Sequence, residues 1–479
     1  MIQFTTNQNA YANDMADVVR LFFGMEKLMT KPEDGEPDTV ITHAFAQEGG
    51  EWVQHCEISS GGRTLSREDR APTVVTGDAL LRERLAKRRA KLCLYALLKA
   101  FTGVRPPWGS LTGIRPTKVA RQLVDEGCAA DAVASELTRV FDVTPPKAAL
   151  VADILRAQRG IWRWGDREHF DAYIAIPFCR TRCLYCSFYS SAAKPALVEQ
   201  YLEALRREIG NRGREMAEAG RVCRALYVGG GTPIALTTEQ LQRVLGWARE
   251  AFPGEYELTV EAGRPDCVQP DTMPMLHSMG VGRISINPQT MNDDTLAVIG
   301  RGHTAADVLR AYELARQASI GQINMDLIVG LPGETPGHVE RTLAALAQLD
   351  MDNLTVHTLA IKHSSRLNER LGEYPLPSDA EATAMLDLCH DFAQGRGMQP
   401  YYMYRQKYMR GNLENVGYAL PGTECIYNID MMEETHDIVA MGAGAVSKRM
   451  YYEENRHERV PNPKDILSYI NSTLQNHGT

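Results

Sequence analysis

The sequence predicts an α/β fold. A partial (β/α)6 barrel spans about 166–365, preceded by an α+β domain over 1–165 and followed by a mostly helical appended domain over 366–479. Two observations carry this. Through the middle of the chain six short β-rich runs alternate with amphipathic helical stretches, the rhythm of parallel strands joined by right-handed crossovers. Polar and glycine-rich residues fall at the C-terminal ends of those runs, where parallel sheets place their ligand chemistry.

Taken in order, the first region opens with a short strand and a helix from Ala12 to Phe23. The alternating runs Thr39–Gln47 and Trp52–Ser59, separated by Gly49-Gly50 and followed by Gly61-Gly62, predict an antiparallel meander. From Asp78 the recurrence of Leu81, Leu85, Leu92, Tyr95 and Leu98 is helical. Further helices are expected over 116–126, 129–140 and 146–163, the last entered through Thr144-Pro145-Pro146. The barrel strands are expected at Ala172–Pro177, Ala225–Gly229, Tyr256–Glu261, Arg283–Asn287, Ile323–Val329 and Leu354–Ile361. Their ends carry a cysteine loop, Gly229-Gly230-Gly231-Thr232-Pro233, Glu261, Gln289, Asp326 with Gly330-Leu331-Pro332-Gly333, and Ala360. The last region mixes helices with a tyrosine-rich basic loop, expected to form a lid or appended domain.

A net charge of −8 and a pI near 5.9 argue against a general nucleic-acid-binding protein, which needs a basic face. No apolar run approaches the roughly 20 residues of a membrane span. The N-terminus has no basic segment followed by an apolar stretch, so no signal peptide is expected. Cys56, Cys93, Cys128 and Cys389 sit singly in apolar or helical patterns and read as small buried hydrophobes. This usage predicts a reducing cytoplasm rather than a disulfide framework.

Cys179-Arg180-Thr181-Arg182-Cys183-Leu184-Tyr185-Cys186 puts three thiols on one short loop. Three cysteines can hold three irons of a [4Fe–4S] cubane and leave the fourth open to a non-protein ligand. The competing zinc reading requires a fourth Cys or His, and the next cysteine, Cys223, lies far downstream beside a predicted strand.

Together with Tyr173-Ile-Ala-Ile-Pro177-Phe-Cys179, the Gly-Gly-Gly-Thr-Pro run, Arg283-Ile-Ser285-Ile-Asn287-Pro-Gln289 and Asn324-Met-Asp326-Leu-Ile-Val-Gly330-Leu-Pro-Gly333, this loop resembles the oxygen-independent coproporphyrinogen oxidase family of radical S-adenosylmethionine (SAM) enzymes. Trp108–Lys118 and Tyr404–Gly417 resemble its HemZ-type branch. The resemblance implies a radical SAM barrel in which Cys179, Cys183 and Cys186 hold the cluster. It implies SAM contacts from Tyr173, Tyr185, Gly230, Gly231, Thr232 and Glu261. Gln289, Arg301 and Asp326 match positions where relatives hold a second SAM, and Ala360 and Val446 match further contact positions. Outside the resemblance, Gly229–Thr232 is also compatible with a plain strand-to-helix turn, Glu261 with solvated surface and Arg301 with a helix cap.

The implied reaction cleaves SAM with one electron, removes hydrogen from coproporphyrinogen III propionates and loses CO2 and one further electron from each, giving vinyl groups and protoporphyrinogen IX. The partners are then a tetrapyrrole and an electron donor such as flavodoxin or ferredoxin. Arg405 and Lys407, set among tyrosines from Tyr401 to Tyr408, suit propionate carboxylates, although the same mixture fits a lid surface. The basic stretch Arg84–Lys91 reads as a solvated face, and His357 and His363 as hydrogen-bonded structure. Ala175 stands where relatives carry a His, and Phe188 where the dehydrogenases carry a further Cys. Two other readings compete: a haem chaperone of the same superfamily, which the missing His disfavours, and a radical SAM methyltransferase or ring-opening enzyme acting on a tetrapyrrole.

Overall fold

The computed structural model describes the whole chain except residues 25, 27, 30–36, 78, 114, 189–190, 363, 407–411 and 476–479. It divides into two compact units, one over Met1–Ala152 and one running from Asp153 through the C-terminal region.

The first unit is built on β1 (Ile2–Thr6), α1 (Ala12–Phe23), β2 (Leu28–Met29), β3 (Thr39–Glu48), β4 (Glu51–Ser60) and β5 (Arg63–Pro72). These strands form one sheet in the order β2-β1-β3-β4-β5. The two hairpins turn on Gly49-Gly50 and Gly61-Gly62, all four at positive φ, the geometry that two-residue primed turns require. The sequence reading missed β5. It is a charged, mostly exposed edge strand and has no apolar alternation to reveal it. Helices α2 (Ala79–Thr102), α3 (Pro116–Asp125) and α4 (Val133–Phe141) follow, and α5 (Pro145–Ala157) crosses the boundary between the units. Apolar residues of α1 and α2 pack on the sheet through Met15, Val18, Leu94 and Leu98 against Phe4, Ile41 and Ile58. The basic stretch of α2 is neutralised locally: Arg84 and Arg88 pair with Glu126, Lys87 with Asp14 and Arg89 with Asp69.

The second unit alternates strands and helices. Its members are β6 (His169–Ile176), α6 (Pro195–Glu218), β7 (Val222–Gly230), α7 (Thr238–Ala251), β8 (Glu257–Glu261), α8 (Thr272–Ser278) and β9 (Arg283–Gln289). They continue through α9 (Asp293–Val298), α10 (Ala305–Gln317), β10 (Gln322–Val329), α11 (Pro336–Leu346) and β11 (Asn353–Thr358). Strands β6 to β11 lie side by side and parallel, as the six expected runs required. Capping boxes at Thr237–Gln240 and Thr304–Asp307 start α7 and α10, fixing where each helix begins after the preceding turn.

The expectation of a mostly helical C-terminal region is corrected. It contains α12 (Arg366–Glu369), α13 (Asp379–Gly395), α14 (Ile426–Glu433) and α15 (Ile466–Gln475). Five strands accompany them: β12 (Gln399–Tyr404), β13 (Asn415–Ala419), β14 (Asp437–Met441), β15 (Val446–Tyr451) and β16 (Arg456–Pro461). These extend the parallel sheet at both edges, in the order β12-β13-β11-β10-β9-β8-β7-β6-β14-β15-β16, so the barrel stays open. The strands are short, and the exposed β15–β16 hairpin is rich in charge, so neither length nor alternation marks them in the sequence.

Candidate active site

The cysteine loop begins where β6 ends. Its backbone is pinned at both ends: Cys179 N–H donates to Ser191 O at 3.0 Å, and Leu184 N–H to Ile299 O at 2.9 Å. The Leu184 side chain anchors the middle by packing with Leu296, Ile299, Leu331 and Leu367. Buried Arg264, clamped by both oxygens of Asp266 at 3.0 Å, donates to Thr181 and lies 3.8 Å from Cys183 Sγ. Sequence reasoning missed this arginine. Burial pushes the Cys186 thiol up, so a metal at this site must displace its proton.

The glycine run at the end of β7 lies against this loop. Ile176 pairs with Gly230, and Gly231 N–H donates to Ile176 O at 2.8 Å. A Cβ on Gly231 would stand 3.0 Å from Cys179 Sγ and 2.7 Å from Phe178 O, so only glycine leaves this approach open. Thr232 Oγ1 is 3.5 Å from the same sulfur.

One strand further, Glu261 ends β8. Its Oε1 accepts the Tyr227 hydroxyl at 2.9 Å. Burial raises its pKa to about 7, with the Asp326 carboxylate adding to the rise and the Tyr227 hydrogen bond opposing it. Tyr173 and Tyr227, paired across β6 and β7, stack with Tyr427 of α14 at centroid distances of 6.2, 4.8 and 6.1 Å. Tyr185 packs at the edge of the Leu184 cluster.

Beyond Glu261 the inner faces of β9 to β11 carry a polar ladder. Ser285 donates to Asn287, Asn324 donates to Ser285 and Asp326, and Thr355 donates to Asn324. Residues two apart on neighbouring strands share a face, so the period-2 polar pattern on these strands was the available signal. His357 lies 3.3 Å from the Tyr404 hydroxyl and 3.7 Å from Asp326, a hydrogen-bonded histidine as expected. Gln289, buried and at φ 67°, leaves Oε1 without a partner. Arg301 donates to Asn287 O at 2.8 Å while its buried Nε has no partner. Such polar atoms in a native interior call for a ligand or water.

The remaining positions lie at the margins. Ala360 follows β11, and Val446 opens β15 beside Ala445, which shares an apolar cluster with Ala175 and Tyr427. Arg405 follows β12, is buried, and donates to Asn412 Oδ1 at 2.8 Å; burial lowers its pKa to about 10. Lys407 and His363 lie outside the described residues. At the departure from the family pattern, Ala175 O accepts the Tyr201 hydroxyl at 2.6 Å and its Cβ faces Gly442.

Among the described residues, the one group of three potential ligands whose donor atoms all lie within 4.8 Å is Asp171, Asp430 and His436. There the Arg224 guanidinium, 2.9 Å from Asp430, already supplies the positive charge. The three cysteine sulfurs are more widely spread. Three thiols on one loop are the donor set of a cubane with one iron left open, and glycine at 231 lets the β7 turn close directly on that loop.

The model of the radical SAM superfamily matches residues 173–346, from Tyr173 on β6 through α11, which defines the class. Over 78% of this chain and 76% of the relative, the sequence is 38% identical to the oxygen-independent coproporphyrinogen-III oxidase-like protein HemZ of Bacillus subtilis (strain 168). The chain belongs to this HemZ-type branch of the oxygen-independent coproporphyrinogen oxidase family. It is also 31% identical to the heme chaperone HemW of the same organism, over 48% of this chain and 61% of that protein. The solved coproporphyrinogen III oxidase HemN from Escherichia coli, at 24% identity, shares the fold with a TM-score of 0.51 over 68% of this chain and 73% of its own. Membership of the superfamily implies a [4Fe–4S] cluster and SAM. No helix among the described residues is long and apolar enough to cross a membrane.

Proposed function

We propose that this protein oxidatively decarboxylates the propionates of coproporphyrinogen III to vinyl groups, without oxygen. The observation that carries the reading is the Gly230–Thr232 turn set directly against the cysteine loop, with Glu261 one strand away, in a chain related to HemZ along most of its length. Cys179, Cys183 and Cys186 would hold the cluster, and Gly230, Gly231, Thr232, Glu261, Tyr173 and Tyr185 the SAM. When bound, the cluster and SAM supply a one-electron cleavage that generates a carbon radical able to take hydrogen from an unactivated carbon.

The chain's own contribution is placement. Tyr227 orients Glu261, whose ionised form attracts an ammonium group. Arg264 balances negative charge at Cys183. The polar ladder from Asn287 to Thr355 offers more hydrogen-bonding capacity than one SAM uses. With the unpartnered atoms of Gln289 and Arg301, that supports a second ligand there, a second SAM or part of the substrate. Arg405 is the described candidate for a propionate partner. The N-terminal region, with no catalytic motif of its own, is read as a docking or substrate-recruiting module.

A haem-carrying role is the second reading. It is favoured by the likeness to HemW and by Phe188 at the place of the extra cysteine. One experiment separates the two. Anaerobic incubation with reductant, SAM and coproporphyrinogen III should give a product lighter by two CO2 and four hydrogens by mass spectrometry. SAM cleavage without that product, together with stoichiometric haem binding, would transfer the assignment to the chaperone.

A further inference from the structure

We infer that the protein face above the cysteine loop is the docking site of an acidic one-electron carrier protein. The inference deepens the cluster reading and rests on it.

The loop is exposed only between its first two cysteines. Arg180, Thr181 and Arg182 are on the surface, while Cys183 and Leu184 behind them are buried. A second basic segment is tied to this one. Arg182 donates to Ser364 O at 2.6 Å, Ser364 Oγ to Ser187 O at 3.5 Å, and Leu367 N–H to Leu184 O at 2.9 Å. These bonds hold Lys362, half-buried, and Arg366, exposed, beside the loop. Next to the last cysteine stands Phe188, 69% exposed. Two acidic groups adjoin the patch. Asp266 is buried between Arg264 and Arg180, 3.0 and 4.0 Å away, and Glu369 is exposed one turn beyond Arg366. Four cations against one exposed carboxylate make a local positive field on a chain whose net charge is −8.

That combination has a physical reading. Opposite charge on a partner steers encounter within roughly a Debye length, about 8–10 Å at physiological salt. An exposed aromatic with arginines on the same surface is the composition of a binding hot spot. Electron-transfer encounters use small interfaces, so one loop and a neighbouring turn suffice. The patch also lies where an electron must enter, since its arginines sit on the same loop as the buried Cys183, next to it in the chain. A nucleic acid would share the charge preference. The acidic remainder of the chain and the single aromatic favour a compact acidic protein.

The test uses full-length protein, anaerobically reconstituted, with a flavodoxin as probe. Lys362→Glu with Arg366→Glu should weaken flavodoxin binding, read by calorimetry, about tenfold or more. Raising the salt should weaken wild-type binding similarly. The double variant should slow cluster bleaching by flavodoxin hydroquinone to the same degree, yet leave bleaching by an uncharged photoreduced deazaflavin unchanged. Phe188→Ser should weaken binding while keeping its salt dependence. Unaltered affinity and rate in both variants would overturn the inference, as would altered retention on RNA with flavodoxin binding intact. Protein that holds no iron but still binds flavodoxin through these residues would sink the cluster reading and leave the docking surface standing.

Discussion

A single methyl group at Gly231 would sit 3.0 Å from Cys179 Sγ and even closer to the Phe178 carbonyl, with backbone on two sides. Gly231→Ala is therefore expected to lose most of its iron on reconstitution and to cost about 1–3 kcal/mol of stability, read by iron assay and urea unfolding. The cysteines themselves give a sharper readout. Alanine at Cys179, Cys183 and Cys186 together should abolish the cluster absorbance, and near-native iron in that variant would refute the assignment. Glu261 adds a pH signature. Its folded pKa of about 7 exceeds its ordinary 4.5, so in the cluster-free protein its favourable contribution holds below about pH 4.5 and is lost as pH rises through about 7. Glu261→Gln should flatten that decline in thermal melts. Binding of a cationic amine runs the other way. SAM affinity should fall about tenfold per pH unit below pH 7 in the wild type and stay level in the variant. The cysteines and glycines were legible because they act within short stretches of chain. Arg264 was not, because only the fold brings it to Cys183 across 81 positions.

At the scale of elements, α6 links the start of the barrel to the C-terminal strands through one buried carboxylate. Glu208 accepts from Gly442 N–H at 2.8 Å, from Asn462 Nδ2 at 2.8 Å and from the Tyr469 hydroxyl at 2.7 Å. The neighbouring Tyr201 holds the Ala175 carbonyl near the end of β6, just ahead of the cysteine loop. Glu208→Ala would leave Gly442 N–H and the Tyr469 hydroxyl buried without that acceptor, at about 1–3 kcal/mol for each unmade bond, while Asn462 keeps its bond to Gly442 O. A lower urea midpoint is expected, together with weaker SAM binding if Val446 contacts the cofactor. Glu208→Gln should recover part of the stability. The elements of the barrel were legible in the sequence, from β6 to β11, because each buried strand is an apolar run followed by glycine or polar punctuation. Strands β12 to β16 were not, since their place in the sheet depends on finding the open edges beside β11 and β6.

In the molecule as a whole, the cysteine loop is held by protein contacts that need no metal, from Ser191 at one end to Ile299 and Leu367 at the other. Chelation of iron is therefore expected to leave the far-UV circular dichroism unchanged and to lower the melting temperature by only a few degrees. Collapse of secondary structure on chelation would show that the cluster itself organises the barrel. The amino-acid sequence by itself determined the βα rhythm, the three thiols on one loop and the glycine turn that faces them. These are encoded in local spacing and backbone freedom. Only the tertiary structure decided that Arg264 guards Cys183, that Tyr173, Tyr227 and Tyr427 stack beside Glu261, and that Lys362 and Arg366 flank the cysteine loop. Those contacts join residues far apart in the chain, and strand register and packing, which no local pattern records, bring them together.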